Sequence, residues 1–539
     1  MPATESSWRA LVCADKLTGV KDVATNQVQD MSGTTPLTRR DWVLALVFLV
    51  VSLVLRVPFR SEYAYHWDSA QFALAIEHYD LRLGLPHPPG FFLYVMLGRL
   101  VNVVVGDPHA SLVWISVVAG SVLVSLGYLL GKLMFGQKCG VLAGVILATS
   151  PLTWFHSEIA LTTIVDSALV TATALVCWLV AMRRTGWRTW VGLGVLLAVV
   201  AGTRGQSAPV LLPLWVYALW RQPEKRWPRL GVAVFAAAVA TLVWLVPMVQ
   251  MSGGWEMYRQ VLAAKALLDR RFVVWASGWP ALQDNVFILT GAVGLGLGVA
   301  GVIGLAEFGL AVVRRQLRLT ETWRFLLIWV GPSVVVGVGV LYTFMPGHVL
   351  NYFPALVIAV AAGIQRAGER LQVSQVWLGV VVAIGGSGLF LTDLVPMEGA
   401  WHRLEMNATE IQRHDGELGR CFAFIRTRYR PEDVVICHDA QWYLWGLRHF
   451  QYHLPEYENW LLVPDKGLPD PGKSKLWRTT GRQVEFVDEF KLPAGKRVLL
   501  VRMPGSSGSG FRRFHGFDPV KSFCFGTGIE LQEVVDSKE

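Results

Sequence analysis

Eleven apolar runs of about 15 to 25 residues follow one another along most of this chain. A helix needs roughly 20 apolar residues to cross the hydrocarbon core of a bilayer. Only 17% of the residues are charged, which is well below the share in soluble proteins. The sequence therefore excludes a soluble globular protein and predicts an all-α polytopic membrane bundle. The runs span residues 42–58, 110–131, 140–156, 160–182, 189–203, 206–220, 230–250, 286–313, 324–343, 348–365 and 374–394.

The charges in the loops predict how this bundle is oriented. One set of alternate loops holds fifteen basic residues and three acidic ones, whereas the 59–109 loop holds three basic residues and five acidic ones. Basic loops stay in the cytoplasm. We therefore expect residues 1–40 to form a cytoplasmic tail and residues 41–394 to form the membrane domain, with loops 59–109 and 251–285 outside. Orientation also explains the net charge of +9, so nucleic-acid binding is not expected.

Two further segments follow from this topology. Residues 91–106 are apolar, but a crossing there would place every later basic loop on the wrong face, so they are predicted to lie in the membrane interface or to re-enter. Residues 395–539 are mixed in polarity and combine strand-like runs at 433–437 and 496–501 with a helical pattern at 411–429. They are predicted to form a soluble α/β or α+β domain outside the membrane. Its three cysteines allow one disulfide of undetermined pairing: Cys421, Cys437 and Cys524.

Ionisable side chains collect at the outer face of the predicted bundle. Such groups are costly at or near the membrane, so each is a candidate functional residue. Asp68 lies in His66-Trp-Asp-Ser-Ala-Gln-Phe72, and a rigid His-Pro-Pro-Gly turn begins at His87. Asp166 is predicted to lie within a span and is not placed in the catalytic set. The predicted catalytic residues are Asp68, Glu158 and His87, and the predicted substrate-binding residues are His66, His156, Arg204, Lys265, Arg270, Arg271, His348 and Tyr352.

This set of residues suits glycosyl transfer from a lipid phosphate. A carboxylate can take the proton of an acceptor hydroxyl as that oxygen attacks the anomeric carbon. Cationic groups can hold the donor phosphate and stabilise its charge as it leaves. Structural roles remain open for the same residues: Asp68 is a favoured residue type for capping the helix that follows it. Arg204 can extend to the surface from a helix end.

The sequence resembles the integral-membrane GT-C glycosyltransferases of the protein O-mannosyltransferase and aminoarabinose transferase-like superfamily. Over residues 40–365 the resemblance is carried by Asp68-Ser69, His87-Pro-Pro-Gly-Phe-Phe-Leu-Tyr94, Ser150-Pro-Leu-Thr-Trp-Phe-His-Ser-Glu158, Gly202-Thr-Arg204 and His348-Val-Leu-Asn-Tyr-Phe-Pro354. It implies a polyprenyl-phosphate sugar donor, and a protein, lipid or glycan acceptor. The HPPG form looks closest to a bacterial branch, so we expect a multi-pass protein of the bacterial inner membrane with its C-terminal domain in the periplasm.

The resemblance also implies roles for individual residues. An acidic residue in the first outer loop, here Asp68, acts as catalytic base or positions the acceptor. An acidic residue in the second outer loop, here Glu158, supports the site. Many members carry Asp-Glu where this chain has Asp68-Ser69, so the second carboxylate's role is open. Some GT-C enzymes use a divalent metal at paired acids, which leaves a metal possible, although this sequence has no evident cluster of oxygen ligands.

Two other functions fit a protein of this kind. A lipid or polysaccharide transporter, or flippase, would place ionisable residues near the middle of the bilayer and would usually contain an inverted repeat. The polar residues here gather at one face instead, and no repeat is evident. A polymerase or ligase of lipid-linked glycans has a similar topology and moves a whole glycan from a lipid pyrophosphate. The sequence favours the transferase of a single sugar over both.

Overall fold

The computed structural model describes most of the chain after the N-terminal 36 residues. The predicted tail 1–40 therefore lies almost entirely outside the described residues, as does Arg271. The described residues are 37–182, 185–222, 225–270, 273–316, 318–341, 345–393, 403–438, 444–461, 476–487, 490, 494–502, 517–526 and 529–536.

Helices account for the whole of the described chain from 39 to 391 apart from short connections, and each predicted apolar run coincides largely with one or two of them. Six are long and apolar enough to cross a membrane, and a bent pair makes a seventh. The helices at 187–203 and 207–220 are short, as the sequence predicts. The helices are α1 (Arg39–Arg56), α2 (Trp67–Glu77), α3 (Phe92–Val105), α4 (Pro108–Phe135), α5 (Gln137–Thr149), α6 (Pro151–Glu158), α7 (Thr162–Met182), α8 (Trp187–Thr203), α9 (Ser207–Trp220), α10 (Arg226–Met251), α11 (Trp255–Asp269), α12 (Val274–Val313), α13 (Glu321–Gly339), α14 (Phe353–Leu371) and α15 (Gln375–Leu391).

The bent pair departs from the straight run predicted at 140–156. Helices α5 and α6 meet at 52°. Ser150 is extended between them, and Pro151 begins α6. A proline has no N–H to continue the hydrogen bonds of the preceding helix, and it restricts the residue before it to extended backbone. The break turns α6, with His156 and Glu158, away from the axis of α5.

Helix α3 covers the segment predicted to lie in the membrane interface. It is only 14 residues long. One face is buried through Phe92, Tyr94 and Val95, while Val103 and Val104 are more than four-fifths exposed. A short helix with one packed face and one exposed apolar face fits an interfacial position.

The C-terminal region is built around one mixed sheet. Strand β1 pairs in parallel with β2 and β5, and the remaining pairs are antiparallel, which gives the order β4-β3-β2-β1-β5-β7-β6. Helix α16 packs on this sheet through Phe422, Ile436 and Leu499. The predicted fold class, a helical membrane bundle with a small α/β or α+β region, is therefore confirmed. The elements are α16 (Ala408–Arg428), β1 (Val434–His438), α17 (Leu447–His453), β2 (Glu458–Leu461), β3 (Leu476–Thr480), β4 (Gln483–Val487), β5 (Arg497–Arg502), β6 (Phe517–Phe525) and β7 (Ile529–Asp536).

The three cysteines of this region are free thiols rather than members of a disulfide. Cys421 and Cys437 are buried and Cys524 is exposed. Burial raises the pKa of the Cys421 and Cys437 thiols, so both stay protonated at neutral pH.

The sheet region holds the segment that leads from α1 to α2. The backbone amides of Glu62 and Tyr63 donate to the Asp415 carboxylate over 2.8 and 3.1 Å. The amide of Ala64 donates to His453 Nε2 over 3.3 Å. These bonds join positions 352 to 389 residues apart in the chain and fix the loop that leads to Asp68. Two further contacts hold the same loop: Arg448 with the Leu83 carbonyl, and the Tyr65 hydroxyl with Glu410.

Contacts between helices distinguish two ends of the bundle. We call the end that meets the sheet region the site end, and the opposite one the far end. Pairs at the site end are the Ser61 amide with the Glu158 carbonyl (3.0 Å) and Arg204 with His348 (3.4 Å); pairs at the far end are Tyr128 with Asp41 (3.0 Å) and Tyr217 with Glu321 (2.6 Å).

Candidate active site

Asp68 lies between two histidines at the start of α2. The helix is capped by His66, whose Nδ1 accepts the backbone N–H of Asp68 at 3.0 Å. The Asp68 carboxylate is thus not used as the helix cap. It is 30% exposed, with Oδ1 3.5 Å from His87 Nδ1 and Oδ2 3.7 Å from His66 Nδ1. A side chain in this position can reach a ligand while its backbone is held in the helix.

Gln71 orients His87, and the sequence analysis did not identify it. Its Oε1 lies 3.0 Å from His87 Nδ1, and the Gln71 side chain is buried. Phe72 and Phe91 pack near the same imidazole. Because an amide oxygen only accepts, Nδ1 of His87 carries the proton and Nε2 is the variable position. The spacing of Gln71 could have revealed it, because Gln71 follows Asp68 by three positions and residues three apart lie on the same face of a helix.

The surroundings of Asp68 hold its pKa below the usual value, so the carboxylate is ionised at neutral pH, where the neighbouring imidazoles are uncharged. Burial by itself would raise the pKa of Asp68, but His87, His66 and Arg204 together lower it below its usual value. Burial lowers the pKa of His87 in spite of the neighbouring carboxylate. At neutral pH the pair is therefore a carboxylate beside a neutral imidazole. This state suits a group that accepts a proton.

Arg204 forms the centre of a buried network at the end of α8. It is 6% exposed, and Nη2 lies 3.4 Å from His348 Nδ1. When the Gln206 side-chain amide is oriented with its oxygen toward Arg204, that oxygen accepts from Arg204 Nε and Nη2 at 2.8 and 2.9 Å. Among the described residues Nη1 has no hydrogen-bond partner. A guanidinium only donates, so this N–H is available to an anionic ligand.

Asp166 supports this network from α7, although the sequence analysis left it out of the site. Its Oδ2 accepts the Ser207 hydroxyl at 2.6 Å, and that hydroxyl accepts the Asn351 amide at 3.0 Å. The Asp166 carboxylate and the Arg204 guanidinium attract each other. Three segments far apart in sequence therefore hold Arg204 in place.

Helix α11 brings a second cation toward Asp68. Lys265 pairs with Asp269 one turn later, and its charge lowers the pKa of both Asp68 and His87. Arg270 follows at the end of the helix and is exposed. Of the two predicted basic residues of this loop that the structure describes, Lys265 and Arg270, Lys265 is thus the one that lies in the electrostatic field of Asp68.

Glu158 and the neighbouring His156 are deeper than Asp68. Glu158 is fully buried, and neither carboxylate oxygen has a hydrogen-bond partner in the described part of the chain. The charges that act on it belong to Arg56 and Arg60, rather than to the residues around Asp68. His156 donates from Nδ1 to the Leu152 carbonyl at 2.8 Å.

The turn after α13 completes this wall of the site. A Cβ at Gly347 would lie 2.7 Å from His156 Nε2, so only glycine allows the turn with His348 to pack this closely. Tyr352 is buried at the start of α14. Asp68, His66, His87, Arg204, Lys265 and His348 thus form one cluster, with His156 beside it and Glu158 behind it. Within the described ranges no group of three or more His, Cys, Asp or Glu side chains is arranged to hold a metal ion.

Comparisons with known proteins bear on the family and the fold of this chain. Residues 86–249 match the profile of the family described as dolichyl-phosphate-mannose-protein mannosyltransferase. The fold matches ArnT from Cupriavidus metallidurans bound to undecaprenyl phosphate with a TM-score of 0.60 and 14% identity over 92% of this chain and 98% of that one. Its apo state matches with a TM-score of 0.56, 15% identity and 91% and 97% coverage.

A more distant match is an oligosaccharyltransferase from Archaeoglobus fulgidus, with a TM-score of 0.44, 14% identity and 80% and 65% coverage. A search of curated protein sequences finds no significant match. The predicted resemblance to GT-C glycosyltransferases is confirmed by the family match and the ArnT-like fold. The chain is accordingly an integral membrane protein with an ArnT-like fold, and residues 86–249 match a mannosyltransferase family.

Proposed function

We propose that this glycosyltransferase moves a single sugar from a polyprenyl-phosphate donor to a hydroxyl of a protein, lipid or glycan acceptor, with Asp68 as the catalytic base. The observation that carries the proposal is that two complementary groups lie at the same end of the bundle. The Asp68 carboxylate is ionised and partly exposed, and the buried Arg204 guanidinium has an N–H without a hydrogen-bond partner among the described residues. The family description and the ligand of the ArnT structure support a lipid-phosphate donor.

In the proposed reaction the acceptor oxygen attacks the anomeric carbon and forms the new glycosidic bond. Asp68 takes the proton of that hydroxyl, and His87, held by Gln71, fixes the orientation of the carboxylate. The bond from the anomeric carbon to the phosphate oxygen breaks, and the lipid phosphate leaves with the electron pair. Arg204 and Lys265 stabilise the charge on that phosphate.

The remaining predicted residues act in support. His66, His156, His348 and Tyr352 would line the sugar and phosphate positions, and Arg270 would add positive charge at the entrance. Arg271 stays a substrate-binding residue proposed from the sequence alone. Glu158 would act indirectly, by fixing Arg56 and the start of the loop through its backbone contact with Ser61. The excess of basic residues in alternate loops supports a site on the outer face of a bacterial inner membrane, with residues 395–539 outside.

Transfer assays with the purified protein in lipid test this proposal. Radiolabelled polyprenyl-phosphate sugars are offered one at a time, with a membrane extract as the source of acceptors. We expect one donor to label an acceptor, and Asp68→Asn to slow that transfer by about 100-fold or more because the proton acceptor is lost. The thermal unfolding midpoint should stay near that of the wild type, since the backbone N–H at position 68 still donates to His66, the N-cap of the helix.

Glu77→Gln is the matched control, because Glu77 is exposed on the same helix. It should transfer sugar at the wild-type rate. Full activity of Asp68→Asn would refute the catalytic assignment. A donor that crosses the bilayer without being consumed would replace the transferase with a transporter.

A further inference from the structure

A polar cavity of about 480 Å³ lies at the site end where α1 ends, α4 begins and α17 of the sheet region approaches. Its lining includes Arg60, Ser61, Glu62, His109, Trp114 and Tyr452. It shares no lining residue with the Asp68 cluster. Because α1 and α4 are both long and apolar enough to cross the membrane, the cavity lies at the boundary between the bilayer and water.

Three buried polar atoms of this cavity have no hydrogen-bond partner among the described residues. They are Nη1 of Arg60, Oγ of Ser61 and Nε2 of His109. His109 and Ser61 are more than nine-tenths buried. A buried donor left without an acceptor costs roughly 1–3 kcal/mol. All three belong to residues that line this one cavity, and a ligand rich in acceptor oxygens is the kind of partner that would satisfy them.

The guanidinium of Arg60 is held in place rather than free to turn toward solvent. It lies over the Trp114 ring at 4.2 Å from the ring centroid. This stacking leaves the edge of the guanidinium, with its N–H groups, to meet a ligand. Guanidinium groups bind phosphate oxygens in this edge-on way.

The acidic residues decide what kind of phosphate fits. Glu62 lines the same cavity with an exposed side chain, two positions from Arg60. Asp107 is also there, but it already accepts the Ala110 amide at 2.7 Å and the Tyr452 hydroxyl at 3.2 Å. A simple anion would be repelled by Glu62, whereas a ligand with a positive group next to its phosphate would satisfy both charges.

We propose that this cavity binds the headgroup of a zwitterionic phospholipid, with its phosphate on Arg60, Ser61 and His109 and its ammonium group toward Glu62. Basic pockets at the ends of membrane helices bind lipid headgroups by such contacts, and a tryptophan at this depth is typical of the membrane interface. The cavity is a lipid site separate from the transfer site.

Native mass spectrometry of the full, delipidated protein in a nonionic detergent tests this site. Phosphatidylethanolamine is titrated first, then phosphatidylglycerol, and inorganic phosphate is added as a competitor. We expect saturable binding of phosphatidylethanolamine that Arg60→Gln weakens by about tenfold or more, because a charge-assisted hydrogen bond is lost. Arg497→Gln is the control: Arg497 is exposed and pairs with Glu533 on the sheet, so its loss should leave binding unchanged.

A second variant keeps the proposal testable if Arg60→Gln does not fold. Glu62→Gln keeps the size of the side chain, and it should reduce the preference for phosphatidylethanolamine over phosphatidylglycerol. Equal binding of phosphatidylethanolamine by Arg60→Gln and the wild type would overturn the proposal. Equal affinity of the wild type for both lipids would contradict the zwitterionic assignment. Displacement by millimolar inorganic phosphate would identify a site for free phosphate instead.

Discussion

Two buried polar networks, one at each end of the bundle, differ in how completely their hydrogen bonds are formed. At the far end Asp41 accepts the Thr38 amide and hydroxyl at 2.7 and 2.6 Å and the Tyr128 hydroxyl at 3.0 Å, and it forms an ion pair with Lys132. At the site end the network around Arg204 leaves three atoms unpaired among the described residues: Arg204 Nη1, Asp166 Oδ1 and Asn351 Oδ1.

The difference distinguishes buried polar groups that stabilise the fold from buried polar groups that are available to bind a ligand. A buried group with all its partners stabilises one packing arrangement, and it has no capacity left for a ligand. A buried group with an unused donor or acceptor lowers stability until a ligand or water supplies the missing partner. We therefore expect changes at the far end to affect folding and changes at the site end to affect transfer.

The largest expected effect is on stability, from Lys132→Met. This change leaves the buried Asp41 carboxylate without its cation and should lower the free energy of unfolding by about 3–5 kcal/mol. Chemical unfolding in mixed detergent micelles measures it. Lys138→Met at the same end is the control, because Lys138 and Glu369 are both more than half exposed and such pairs contribute about 0–1 kcal/mol. Equal effects of the two changes would remove the basis of the comparison.

The next effect is on transfer, from Arg204→Gln. Loss of the guanidinium should lower kcat/KM by about 100-fold, since it removes the buried charge that we propose stabilises the leaving phosphate. Arg204→Lys keeps the charge and should recover part of the rate. Arg221→Gln is the control, because Arg221 lies at the far end of α9 and is largely exposed. A lower free energy of unfolding with an unchanged kcat/KM would show that Arg204 stabilises the fold and does not act in transfer.

A smaller effect is expected from Gln71→Leu. Without the acceptor on Nδ1, His87 loses the contact that orients it beside Asp68, and kcat should fall by about tenfold while KM changes little. The pH profile of kcat distinguishes this from a general packing defect, because a change at His87 alters the electrostatics of Asp68 and shifts the acid limb, whereas a packing defect lowers kcat at every pH. Gln71→Glu, which retains an acceptor, should keep more activity than Gln71→Leu.

The smallest effect is a response of the site end to acid. Burial lowers the pKa of His66 and of His449 and His453 on α17, so these imidazoles are neutral in the folded protein at pH 7. Their unfolded pKa is about 6.5. Their contribution to stability is therefore complete above that pH and is lost as the pH falls below it. The thermal unfolding midpoint should drop by a few degrees from pH 7.5 to pH 5.5.

His449→Gln provides the check on this response, because it removes one of the titrating groups from the contact with the first loop. The drop between the two pH values should become smaller in this variant. A midpoint that is the same at both pH values in the wild type would show that these histidines do not couple the site end to pH.

The sequence predicted the helices well because apolar length and loop charge are local properties. The run predicted at 160–182 is the helix Thr162–Met182, and that at 189–203 is Trp187–Thr203. The break at Pro151 was not predicted, although the proline marks it. The position of each run in the chain could be read from hydropathy, whereas the direction of a short helix such as α6 depends on its neighbours.

The site could be predicted only in part, because the sequence gives the end of the bundle at which a residue lies but not the side chain that it contacts. Topology alone places Asp68, His87 and Arg204 at one end. It cannot show that Gln71 binds His87, that Ser207 joins Asp166 to Asn351, or that Glu158 lies with Arg56, because these pairs depend on how the helices pack and rotate. Asp166 is the clearest example: an acid in the middle of an apolar run has several partners within reach, and only the packed bundle selects one.

The bonds between the first loop and the sheet region have a consequence for synthesis. Tyr63 leaves the ribosome 352 residues before Asp415, its hydrogen-bond partner. The loop that carries Asp68 is thus inserted, with the first helices, long before the segment that fixes it has been made. The site is assembled only after that segment has been translated, so a chain truncated before residue 408 would insert its membrane helices and still lack an ordered first loop.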